Sequence, residues 1–102
     1  MLFKKDKYII KVNHGYGEKK TDNLRGIINN LIIEPEQEQV MYDISIIDED
    51  NDEIMFWNDI VGKVSLFCHI PAGKCTQESI KVILKNVSHN IDFKIILLTR
   101  EK

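Results

Sequence analysis

The sequence predicts an all-β fold, an antiparallel β-sandwich of about seven strands, jelly-roll or immunoglobulin-like, formed by residues 1–102 as a single domain. Three observations predict it. Alternation is strict in Val40 to Ile46, where Val40, Tyr42, Ile44 and Ile46 fall on one face of a strand and Met41, Asp43 and Ser45 on the other. Residue usage is that of strands: 17 isoleucines and 6 valines accompany a single alanine, Ala72. Finally, apolar runs recur about every ten residues with turn residues between them, the spacing of sandwich strands.

The first strand is predicted over Lys7–Val12, with Tyr8, Ile10 and Val12 on one face. His14-Gly15-Tyr16-Gly17 ends it, because paired glycines favour a turn, and Glu18 to Asn23 is polar. Leu24 to Ile33 fits two templates. Leu24, Ile27, Ile28, Leu31 and Ile32 lie at helical spacing, with Thr21, Asp22 or Asn23 as N-cap. Gly26, Asn29-Asn30 and four isoleucines oppose a helix through backbone entropy, competing side-chain hydrogen bonds and restricted χ1, so a strand is preferred. Pro35 then holds Glu34 extended.

Val40 to Trp57 reads as a hairpin. Five acidic residues and Asn51 occupy Asp48 to Glu53, after which Ile54 and Phe56 are expected to resume the core-facing set. Ile60 to Ile70 is the next strand, with Gly62, Val64, Leu66, Cys68 and Ile70 facing one way and Lys63, Ser65, Phe67 and His69 the other. Pro71 to Lys74 is a turn. Ser79 to Val87 again fits both templates and is read as a strand, and Phe93, Ile95 and Leu97 mark the last one. Helices at 24–33 and 79–87 would instead make an α+β, ferredoxin-like layer.

Fourteen basic residues against sixteen acidic ones, a net charge of −2, carry no electrostatic footprint for nucleic acid. No apolar run has the length of a membrane span or a signal-peptide core, so neither membrane nor leader is expected, and the chain is expected to be soluble and intracellular at synthesis. Cys68 and Cys75 are read as free thiols in a chain whose aliphatic content needs no disulfide scaffold.

Among candidate sites, Asp48, Asp50 and Asp52 stand at positions 1, 3 and 5 of a calcium-loop pattern, and Asp59 at position 12. Glu53 replaces the glycine needed for the sharp turn at position 6, position 12 carries a shorter Asp, and the flanks read as strands. The acidic stretch is therefore read as a solvated hairpin tip, with a hard cation as the alternative. Cys68, His69 and Cys75, with His14 and His89, match no zinc spacing, because adjacent strand residues point to opposite faces. Gly73-Lys74-Cys75-Thr76 lacks both the upstream glycine and the Ser or Thr that a phosphate loop requires after its lysine. No cofactor and no catalytic constellation are expected. Tyr42, Phe56 and Phe93 fall in core-facing sets, whereas Met55, Trp57 and Phe67 fall opposite theirs. These three are the candidate apolar patch for a protein partner.

G-I-I-N-N-L-I-I-E-P, V-M-Y-D-I-S-I-I-D-E-D-N-D-E-I, I-V-G-K-V, I-P-A-G-K and S-I-K-V-I-L-K-N-V-S-H-N-I-D-F-K-I-I-L-L together span about Leu24 to Leu98. In strand and turn order they resemble the small β-sandwich structural proteins of tailed bacteriophages, those that decorate capsids or serve as tail accessories. The resemblance implies a non-enzymatic virion component that contacts other virion proteins or copies of itself, in a homo-oligomer or larger assembly. No catalytic residue carries over. Two other classes stay open: a small counter-defence inhibitor presenting its acidic turn to a basic partner, and a calcium- or carbohydrate-binding module.

Overall fold

A computed structural model describes residues 3–22, 24, 26–72 and 79–100. Cys75 and the Gly73-Lys74-Cys75-Thr76 segment lie outside the described residues. Eight strands follow in chain order: β1 (Phe3–Lys11), β2 (Gly17–Lys20), β3 (Gly26–Pro35), β4 (Met41–Ile47), β5 (Glu53–Val61), β6 (Val64–Ala72), β7 (Lys81–Lys85) and β8 (Asp92–Arg100). No helix occurs among the described residues, and none is therefore long and apolar enough to cross a membrane. The two ambiguous runs are β3 and β7, which excludes the ferredoxin-like alternative.

Two four-stranded antiparallel sheets form, a front sheet in the order β1-β8-β3-β6 and a back sheet in the order β2-β7-β4-β5. The antiparallel pairs β1·β8, β2·β7, β3·β6 and β4·β5 are nested inside one another. This is the connectivity of one long hairpin whose tip is the β4–β5 turn, bent over so that its halves fold onto each other. The pairs β3·β8 and β4·β7 then complete each sheet. That nesting defines a jelly roll.

The strand missed in sequence is β2. Only Gly17 of Gly-Glu-Lys-Lys is buried, so the segment carries no apolar alternation, and its pairing with β7 alone makes it a strand. Gly17 is required by close approach: a Cβ there would lie 2.7 Å from Ile10 Cγ2 and 2.9 Å from the Lys11 carbonyl oxygen.

Inner faces of both sheets supply one core. Ile28, Leu31, Ile33, Phe93, Ile95 and Leu97 of the front sheet meet Tyr42, Ile44, Ile46, Val82 and Leu84 of the back sheet. Tyr42 and Phe93 meet edge to face across the layers, with centroids 4.9 Å apart. Such aromatic pairs contribute about 0.5–1.5 kcal/mol beyond burial alone. The Tyr42 hydroxyl donates to the Gly62 carbonyl oxygen, so its polar end is satisfied where the chain passes from the back sheet to the front sheet. Burial pushes its pKa up to about 12.

Two β-bulges shape β5. Ile46 opposes Met55 while Ile47 opposes Glu53, so Ile54 is the extra residue. Tyr42 opposes Ile60 while Ile44 opposes Trp57, so Asn58 and Asp59 face Asp43 alone. Each bulge resets the alternation along the strand. Met55, Trp57 and Ile60 consequently pack against the core together with Ile54, and Phe56 points outward. The expectation that Phe56 fills the core while Met55 and Trp57 leave it is corrected accordingly.

Candidate functional site

Of the residues singled out in sequence, Phe67 lies on the outer face of the front sheet, and Asp48, Asp50 and Asp52 lie at the β4–β5 tip. Along β1 the outward positions are Phe3, Lys5, Lys7, Ile9 and Lys11, all exposed. Register then aligns rows across the sheet. Lys7 neighbours Ile96, which neighbours Ile32 and then Ser65; Lys5 neighbours Leu98, then Asn30 and Phe67. Phe67 is the most exposed large apolar side chain among the described residues, at 65%, with Ile9 and Phe3 at about half. Its ring stacks on His69, with centroids 5.9 Å apart and planes 15° apart.

His69 adopts φ 51° at the β3·β6 bulge, where Cys68 and His69 oppose Asn29 alone, and alternation with buried Cys68 and Ile70 puts both rings on the outer face. Cys68 turns inward as a buried free thiol whose pKa burial pushes up to about 11, too high for a ready nucleophile at neutral pH. The expected division into a core thiol and a surface imidazole holds.

The front face carries five cations, Lys5, Lys7, Lys11, Lys94 and Arg100, against two carboxylates, Glu34 and Asp92. Glu34 already pairs with Lys63 at 3.4 Å and with Lys94 at 3.9 Å. Asp92 stands directly opposite Lys11 in the ladder. Sequence reasoning took Phe67 from this face and missed the rest, although Lys5, Lys7, Ile9 and Lys11 alternate legibly along β1.

Met55 and Trp57 do not join Phe67. They lie on the inner face of a back-sheet edge strand, whereas Phe67 lies on the outer face of the front sheet, so the proposed three-residue patch does not exist. The aromatic that β5 does expose is Phe56, opposite Ser45.

At the hairpin tip, Asp48 Oδ1 accepts the backbone N–H groups of Asp50 and Asp52, each at 2.9 Å, and the Asn51 N–H reaches the Asp48 carbonyl oxygen. Asn51 takes the left-handed conformation that this tight loop requires, φ 65°, which Asn tolerates better than most residues. Asp48 is thus the turn's own cap. Oxygens from Asp48, Asp50 and Asp52 lie within 4.8 Å of one another, a spacing that admits a hard cation. Asp59 is not part of this group. It sits six residues along β5 from Glu53, roughly 20 Å at strand rise. There its N–H donates to Asp43 Oδ1 at 2.9 Å. With Asn86 Nδ2 donating to the other Asp43 oxygen at 2.8 Å, these bonds hold the Asp43 carboxyl below its ordinary range.

Glu49 fastens the tip to the body. Its Oε1 accepts both the backbone N–H of Ser79, at 2.9 Å, and the Ser79 hydroxyl, at 3.1 Å, and these bonds lower its pKa. Lys20, Asn51 and Lys81 join them around a shallow recess that is polar and open.

Fold and surfaces together define an eight-stranded jelly-roll sandwich with a basic, apolar front face and an acidic tip. No protein-family model, curated protein or solved structure matches the chain.

Proposed function

We propose that this jelly roll is a non-enzymatic structural component of a bacteriophage virion, a capsid decoration or tail accessory protein, acting through protein–protein contacts. The observation that supports it best is the front face: Phe3, Ile9 and Phe67 are about half exposed or more, on a sheet face that also carries Ile32 and Leu98. Exposed apolar groups on a rigid sheet mark an association surface more often than a catalytic one. Jelly rolls recur in viral capsid and lectin domains, a fold-level analogy that agrees with the resemblance in strand and turn order. The test is mass spectrometry of density-gradient-purified particles produced from the genome that encodes the chain. Its recovery in stoichiometric, multi-copy amounts is expected; its absence from particles while abundant in the lysate removes the reading.

A second reading, a calcium-binding module, rests on the three gathered carboxylates of the tip. Site-bound calcium raises the melting temperature with a saturable dependence on concentration, and Asp50→Asn with Asp52→Asn abolishes that rise. An unchanged melting temperature removes this reading.

A further inference from the structure

We infer that the outer face of the front sheet docks the acidic β4–β5 hairpin of a second copy of this chain. The inference rests on the assembly reading above and names its partner. A net charge of −2 conceals five cations on the front face and three clustered carboxylates at the tip. Among the described residues Lys5, Lys7 and Arg100 make no ion pair; of the two carboxylates of their face, Glu34 pairs with Lys63 and Lys94, and Asp92 stands opposite Lys11 in the ladder. Among the described residues Asp50 and Asp52 make no ion pair, and their carboxylate oxygens lie within 4.8 Å of those of Asp48 at the tip of the hairpin. Like charges at that spacing favour any cation brought between them, and an ammonium or guanidinium group serves as a metal ion does.

A protein is favoured over a nucleic acid because the net charge of −2 opposes a polyanion while the chain itself supplies a complementary acidic segment; Phe3 and Phe67 on the same face make oligonucleotide stacking the competing outcome of the test. Only the Asp48–Asp52 turn and the outward side chains of β4 and β5 are free to make this contact, since the inner faces of both strands fill the core. The front face measures about 30 Å along its strands and roughly 15–20 Å across them, on the order of 500 Å². A standard interface buries about 800 Å² per partner, so each contact is weak and effective in many copies. Face and tip are different parts of the molecule, so the contact is heterologous: every added copy leaves one face and one tip free, and the product is a ring or an open chain.

Sedimentation velocity of the purified chain, over a concentration series in low salt, tests this. Species beyond the dimer that dissociate in about 0.5 M NaCl are expected, as charge screening requires. Lys5→Glu with Lys7→Glu, and separately Asp50→Lys with Asp52→Lys, each weaken self-association by about tenfold or more. An equimolar mixture of the two variants regains it, since each then offers the other a complementary surface. A wild-type chain that stays monomeric overturns the inference, as do variants that associate like wild type or a mixture that does not recover. Association that needs calcium and vanishes with chelator, or an oligothymidylate that binds the face of a monomeric chain, also overturns it. A chain found in purified particles yet monomeric in solution ends this inference and leaves the assembly reading intact.

Discussion

Gly62→Ala is the sharpest probe of the jelly-roll crossing. Gly62 lies between β5 and β6, where the chain leaves the back sheet for the front, with φ +69°. A Cβ there would stand 2.8 Å from the Glu38 carbonyl oxygen, a backbone atom that cannot swing aside. The same residue donates its N–H to the Val40 carbonyl oxygen at 3.0 Å and accepts the Tyr42 hydroxyl, so a shift of the turn strains both bonds. The left-handed conformation costs an alanine about 1–2 kcal/mol. Loss of one weakened hydrogen bond adds about 1–2 kcal/mol. The sum of about 2–4 kcal/mol is a large share of the stability of a domain this size, about 5–15 kcal/mol. It corresponds to a fall of roughly 10–25 °C in melting temperature.

Gly15→Ala is the internal control. Gly15 has φ +76°, but its Cβ would meet nothing closer than the Val87 carbonyl oxygen at 3.4 Å, so only the conformational cost of about 1–2 kcal/mol applies. Thermal melts followed by far-UV circular dichroism, with urea midpoints as a second measure, compare the two. If Gly62→Ala melts no lower than Gly15→Ala, the close approach at the crossing is wrong.

The corrected register of β5 makes a comparison of two neighbouring positions. Full burial would make Trp→Ala cost about 3–5 kcal/mol, so half-buried Trp57, packed on the core, is expected to cost about 2 kcal/mol when replaced by Ala, while outward Phe56→Ala costs less than about 1. The reverse order in urea unfolding would restore the register read from sequence. Acid stability depends on Asp43, whose pKa is lowered first by the Asp59 N–H, then by Asn86 and Lys85. A depressed folded value means the stabilisation is complete above the ordinary 3.8 and is lost as pH falls below it toward the folded value. Asp43→Asn should flatten that acid limb in melts from pH 5 downward, about 0.5 pH apart, and a limb equally steep in the variant sinks the assignment. Cys68, in a Cys75→Ser background, should react with a disulfide reagent at pH 8 far more slowly in the native chain than in urea, since burial holds its thiol up at about 11. Equal rates would place it at the surface.

Local chemistry alone determined much of this molecule. Period-two alternation in Tyr42-Ile44-Ile46, Val64-Leu66-Cys68-Ile70 and Phe93-Ile95-Leu97 identifies the strands and their buried faces, because the pleat binds side-chain direction to position. Asn29-Asn30 and the isoleucines around them argued against a helix in what became β3, and backbone entropy and χ1 restriction are local properties. The acidic run from Asp48 to Glu53 announced a turn, since five carboxylates cannot be buried together.

Tertiary structure decided what depends on a neighbour. Strand β2 exists because β7 pairs with it, and nothing in Gly-Glu-Lys-Lys carries that partner's position. Bulges at Ile54 and at Asn58-Asp59 arise where β4 and β5 differ in residue number between matched pairs, and they moved Met55 and Trp57 inward and Phe56 outward. The separation of Phe67 from β5, and of Asp59 from the acidic tip, follows from strand lengths and sheet order. Likewise the meeting of Lys5, Arg100, Ile32 and Phe67 on one face joins residues from four strands, and only the nested pairing of the jelly roll brings them together.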